Sequence, residues 1–285
     1  MLKALKYEFK NTYKFFLILL LGMVFANFML YPLMTKIANQ ENPNIVIGLL
    51  IGVIALILLG CSIVFIFMIV SSFRKEFYTD QGYFTFSRPL SASTFLGSKL
   101  ISSLIWTVLY TIAFGIINMV GLRVVIGNAE FAKMMSEILS SFRDMFSNST
   151  IILNIINIIY SILGSIHGLL IMYLSIVISK VLFKKNTLGY IWFLFFIGFS
   201  YLTNIINIII YKNIPYYLTS EGIKYVPYDV VTGSGNLATN LFINSNSALY
   251  NTIFSRNIGE LIIFPIIIIL IFSLTAYLIN KKVEI

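Results

Sequence analysis

The chain has 285 residues, 59% of them hydrophobic and 11% charged, with a formal charge of +9 and a mean hydropathy of +0.92. Soluble globular proteins carry about 25% charged residues, so this composition excludes a water-soluble domain and points to the bilayer. One cysteine and one histidine exclude an internal disulfide, a zinc cluster and an H-E-x-x-H site, and no G-x-x-x-x-G-K-[ST] loop is present for ATP hydrolysis by this chain.

Residues 1–14 come first. Lys3, Lys6, Lys10 and Lys14 fall on one helical face, and Leu2, Leu5, Phe9, Tyr13 and Phe16 on the other. That pattern predicts an interfacial helix lying along the membrane before the chain turns in. The simpler reading is a basic flank that sets topology. A signal peptide does not fit, because the apolar run that follows is about 20 residues, beyond the 7–15 of a signal core, and lacks a small-residue cleavage pattern.

Six apolar stretches meet the length needed to span, at 15–34, 45–70, 100–120, 151–179, 188–210 and 261–279, and none contains Asp, Glu, Lys or Arg. Continuous apolar runs, rather than ten-residue alternation, exclude a β-barrel. The expected fold is an all-α membrane protein, a single transmembrane domain over 1–285. Counting lysine and arginine orients it: one side holds 13 basic residues and four acids (Glu8, Glu76, Asp80, Glu284), the other seven of each. The positive side is the cytosol, with both termini inside. The basic balance is accounted for by topology and anionic headgroups, without nucleic acid.

The connection between the second and third spans is charged and aromatic. Arg74, Lys75 and Glu76 leave the bilayer directly. Phe77, Tyr78, Tyr83, Phe84 and Phe86 follow around Gly82, Pro89 breaks the helix, and Ser91 or Ser93 can cap the next one. Aromatics flanked by charges on a short element suit a protein–protein contact. The alternative is an amphipathic loop whose aromatics sit at the lipid interface.

On the external side, residues 128–146 form an amphipathic pattern. Phe131, Met134, Met135, Ile138, Leu139, Phe142, Met145 and Phe146 share one face, and Glu130, Lys133, Glu137, Ser140 and Asp144 the other. The fourth span carries a stripe of Asn154, Asn157, Ser161, Gly164, Ser165, Gly168 and Ser175, which either packs against a helix or lines a pathway that Asn204 and Asn207 of the fifth span could complete. His167, the one ionisable candidate inside a span, reads as a packing residue rather than a proton carrier. Residues 211–260 are too long for an unstructured loop and predict an extracellular cap with short helices near 237–254.

The layout and the 73–100 run resemble the permease subunits of ABC-2-type transporters of Gram-positive bacteria, whose first cytosolic loop is similar to D-E-G-Y-L-T-x-x-L-P-V-S followed by S-K. Asp80, Gly82, Tyr83, Thr85, Pro89, Ser91, Ser98 and Lys99 match that pattern, while Gln81 stands where an acid is common and Arg88 where an apolar residue is. The resemblance implies a cytosolic coupling helix, with Arg74, Glu76, Phe77, Tyr78, Asp80, Gln81, Gly82, Tyr83, Phe84 and Thr85 contacting an ATPase. It also implies a second permease, identical or related, above an ABC ATPase dimer that binds ATP and Mg. The substrate would be a peptide or amphiphile, including antimicrobial peptides, exported across the bacterial cytoplasmic membrane. This chain would then be no enzyme itself, with no catalytic or metal residues. Rival readings are an ATP-independent channel or carrier, a membrane-embedded enzyme, and a peptide-sensing or immunity subunit.

Overall fold

The computed structural model describes residues 2–38, 45–80, 82, 91–146, 151–183, 190–219, 222–228 and 256–281. The elements are α1 (Leu2–Ala38), α2 (Ile45–Tyr78), a long helical stretch Ala92–Met145, α5 (Ile151–Leu182), α6 (Trp192–Asn213), β1 (Tyr216–Thr219), β2 (Gly222–Tyr225), β3 (Arg256–Asn257) and α7 (Ile258–Lys281). Gly127, at φ 81° and ψ 168°, interrupts the long stretch and divides it into α3 (92–126) and α4 (128–145). Among the described residues six helices are long and apolar enough to cross a membrane, so the chain is a multi-pass, predominantly helical membrane protein.

The residues separate into two compact units, 1–140 and 141–284, each holding three of these helices. In the first unit α1 buries a stripe of Phe16, Leu19, Met23, Ala26, Asn27, Leu30 and Tyr31, recurring at three and four residues. This stripe packs on α2, where Ala26, Leu30 and Tyr31 meet Ile54. Long side chains bring α3 to the pair. Trp106 lies against Phe9 and Phe16, Tyr110 stacks on Phe65 at 4.2 Å, and the Tyr31 hydroxyl bonds Asn118 Oδ1 at 2.8 Å. Gly121 makes the last contact fit, because a Cβ there would overlap the Tyr31 ring.

Two expectations need correction here. The segment 1–14 is not a separate helix followed by a turn: α1 runs unbroken from Leu2 to Ala38. Residues 11–16 contain neither Pro nor Gly, and the Thr12 hydroxyl bonds the Glu8 carbonyl inside the helix at 2.8 Å, so nothing breaks it. The spans are also longer than the uncharged runs, since α2 and α3 carry Glu76 and Lys99 within the helix and α7 carries Glu260. The segment 128–145 is helical, as the amphipathic pattern predicts, and Gly127 separates it from the third span.

In the second unit α5 packs against α6 and α7. Ser175, Ser179 and Thr275 are fully buried there, and Ser175 and Thr275 return their hydroxyls to backbone carbonyls one turn earlier. Small residues satisfied in this way let helices approach closely. Within 211–260, expected as an extracellular cap, the described residues contribute an antiparallel sheet of order β2-β1-β3 that the sequence reading did not anticipate, with Tyr216 opposite Tyr225 and Tyr217 opposite Asn257. Tyr-Tyr-Leu-Thr and Gly-Ile-Lys-Tyr are short β-prone runs that a two-residue connection can pair, and Gly222 takes the positive φ of 113° at its end. The helices expected near 237–254 fall outside the described residues.

Candidate functional site

The candidate site lies at the end of the first unit where α1 begins, α2 ends and α3 begins. Ser91 starts α3: its Oγ accepts the Thr94 backbone N–H at 3.3 Å, satisfying one of the open donors of the first turn. This cap sets the phase of α3, turning Phe95, Leu96, Ser98 and Lys99 inward.

Lys99 is only 4% exposed, yet it is charged and at the edge of an apolar layer. Its ammonium lies 2.7 Å from Glu8 Oε1, 3.0 Å from Glu76 Oε1 and 3.2 Å from the Ser72 carbonyl. Three acceptors match the three N–H donors of an ammonium. An isolated buried charge would be costly, and this arrangement removes the cost by pairing and saturating it. The Ser72 hydroxyl adds a longer 3.5 Å contact to Glu8 Oε2. The ends of three helices are thus tied through one nitrogen.

Around the tie, Phe73, Phe77 and Phe95 form an aromatic cluster with centroids 5.0 to 6.1 Å apart. On the α1 side, Trp106 donates its indole N–H to Thr12 Oγ1 at 2.8 Å. A cavity of about 440 Å³ opens beside the cluster, with Glu8, Lys75, Glu76 and Lys99 at one end and Phe15, Val64 and Phe67 at the other.

The predicted coupling residues divide by this geometry. Glu76 and Phe77 point inward, Phe77 with 3% of its surface exposed, so both hold α2 in place. Arg74 is half-buried, its guanidinium 5.4 Å from the Tyr78 ring centre. Asp80 is exposed beyond the helix end, and Gly82 is buried, its N–H bonded to the Thr79 carbonyl at 3.1 Å. Gln81, Tyr83, Phe84, Thr85 and Pro89 lie outside the described residues.

The predicted pathway residues differ in burial and in partners. Asn154 is buried, and Asn157 accepts the Arg256 Nε–H at 2.8 Å, while Ser161, Ser165 and Asn204 are exposed. Asn207 is half-buried, with its Oδ1 unpartnered among the described residues. Arg256 also lies over the Tyr160 ring, which stacks on Phe264. His167 is buried with its ring 4.9 Å from Phe264.

Sequence reasoning treated Glu8 and Lys99 as topology charges and missed their partnership. A signal was present: Glu8 and Thr12 precede Phe16 at four-residue steps, in phase with the buried stripe of α1. Comparisons with protein-family models, with curated proteins and with solved structures find no match.

Proposed function

We propose that this chain is the membrane-spanning subunit of an exporter of the ABC-2 type, moving a peptide or other amphiphile with ATP and Mg handled by a separate ATPase dimer. It would pair with a second permease in the bacterial cytoplasmic membrane, both termini in the cytosol. The observation that carries the reading is the Lys99 tie. An exporter without its own energy source needs a firm connection between the docking loop and the spans. The loop between α2 and α3 leaves from two helix ends that share Lys99, and α1 is held to the same nitrogen through Glu8. A force on that loop would move three helices together rather than bend one.

Among the described residues, exposed Lys75 and Asp80 are left for an ATPase to contact, and the resemblance implies Tyr83 and Phe84 as further contacts. The resemblance to the coupling loop supports the same region. The test is co-expression with P-loop ATPases encoded beside this chain, followed by co-purification and ATPase assay in proteoliposomes. An ATPase should co-purify and be stimulated, and the Tyr83→Ala/Phe84→Ala variant should insert normally but lose stimulation and transport. Transport by the chain alone, or full stimulation in that variant combined with Asp80→Lys, overturns the reading.

A further inference from the structure

The cavity beside Lys99 has a graded wall. At one end stand two carboxylates and two ammonium groups, from Glu8, Glu76, Lys75 and Lys99. Ser71, Ser72 and Thr12 follow, then Phe15, Val64 and Phe67. Along α2, Lys75 to Val64 spans roughly 16 Å at 1.5 Å per residue. The apolar end faces outward, with Phe67 57% exposed. The uncharged run of α2 ends at Phe73 and that of α3 begins at Leu100, which sets the charged end at the edge of the hydrocarbon layer.

We infer that this cavity holds a membrane phospholipid with a zwitterionic headgroup bearing a primary ammonium, the chemistry of phosphatidylethanolamine. The charge pattern selects it. Lys99 is shared by Glu8 and Glu76, so those three side chains carry one net negative charge, and Lys75 brings the described lining residues to neutrality. A ligand with separated opposite charges fits such a wall better than an anion. Glu8 Oε2 is met among the described residues only by the Ser72 hydroxyl at 3.5 Å, leaving it able to accept from a headgroup ammonium. Lys75, exposed at the rim, supplies the partner for the phosphate. A quaternary ammonium has no N–H to donate, so phosphatidylcholine loses the Glu8 contact. The acyl chains then lie along Val64 and Phe67. A cavity of about 440 Å³ takes the headgroup and glycerol region while the chains stay in the bilayer. The inference concerns the first unit alone and stands whether or not an ATPase drives the chain.

The test is native mass spectrometry of the full chain released from detergent micelles and titrated separately with phosphatidylethanolamine, phosphatidylcholine and phosphatidylglycerol. One phosphatidylethanolamine should be retained about tenfold better than phosphatidylcholine, the difference one charge-assisted hydrogen bond makes. Lys75→Ala, at an exposed position, should reduce its retention several-fold without changing the thermal midpoint. Ser71→Phe, which fills the cavity, should abolish it. Should Ser71→Phe fail to fold, Lys75→Ala decides. Equal retention of the three lipids, preference for phosphatidylglycerol, or unchanged retention in Lys75→Ala overturns the inference.

Discussion

Glu8 and Lys99 form a 2.7 Å ion pair that joins the beginning of α1 to the beginning of α3. The pair is protected from water, Lys99 at 4% and Glu8 at 12% side-chain exposure, and Glu76 shares the same ammonium. Removing Lys99 therefore costs more than removing either acid. Lys99→Met leaves two carboxylates buried without their common cation and should lose about 3–5 kcal/mol. Glu8→Gln leaves Lys99 paired with Glu76 and should lose less. Thermal unfolding in detergent, followed by circular dichroism, measures the order. A larger loss for Glu8→Gln than for Lys99→Met would contradict a shared ammonium.

Two glycines of the same helical stretch should respond to alanine with opposite signs. Gly115 has open space around its Cβ position and lies in α3, so Gly115→Ala should stabilise by up to about 1 kcal/mol. Gly127 has φ 81°, which an alanine adopts at a cost of about 1–3 kcal/mol, so Gly127→Ala should destabilise. The two melting temperatures, compared with the parent, decide it.

Asn257 is 1% exposed and does two things. Its Oδ1 accepts the Glu260 N–H at 3.1 Å, capping α7, and its Nδ2 donates to the Ile214 carbonyl at 2.6 Å. Asn257→Ala should cost about 2 kcal/mol or more, the cap plus a stranded buried carbonyl. Asn257→Asp keeps the cap acceptor and loses the donor, so its melting temperature should fall between the two.

Tyr217, on β1 beside Asn257, has its phenol held above the ordinary value of 10.0, chiefly by burial, with Glu260 adding to the rise. A folded-state pKa above the unfolded one means that the folded protein holds the proton longer. The associated stability is complete below pH about 10 and declines as pH rises from there towards the folded value. Tyr217→Phe should flatten the alkaline limb of the stability profile while leaving the neutral region little changed in slope. Midpoints of urea unfolding between neutral pH and pH about 11 would reveal an unaltered limb if the phenol plays no part.

Much of this architecture is legible from the order of residues because lipid leaves few options. An apolar run of sufficient length becomes a helix whose backbone bonds are satisfied internally, and the six runs did so. The amphipathic helix after the third span was equally readable, since Phe131, Met134 and Ile138 repeat at helical spacing. The Lys99 tie was not. Counting charges by side treats Glu8, Glu76 and Lys99 as independent, whereas their meeting depends on the rotational phase of three separate helices. The hairpin of β1 and β2 was hidden for a different reason. Its four-residue strands contain little periodicity, and the pairing of β1 with β3 joins Tyr217 to Asn257 across a long intervening segment.

The shared ammonium also has a consequence for biogenesis. As spans leave the translocon in chain order, Glu8 and Glu76 arrive before the residue that neutralises them. Neither carboxylate has Lys99 to pair with until α3 follows. Until then the first two spans form an incomplete intermediate with a soft end. Assembly of this half is closed by its third helix, so a chain truncated before Lys99 would leave Glu8 and Glu76 without the cation they share.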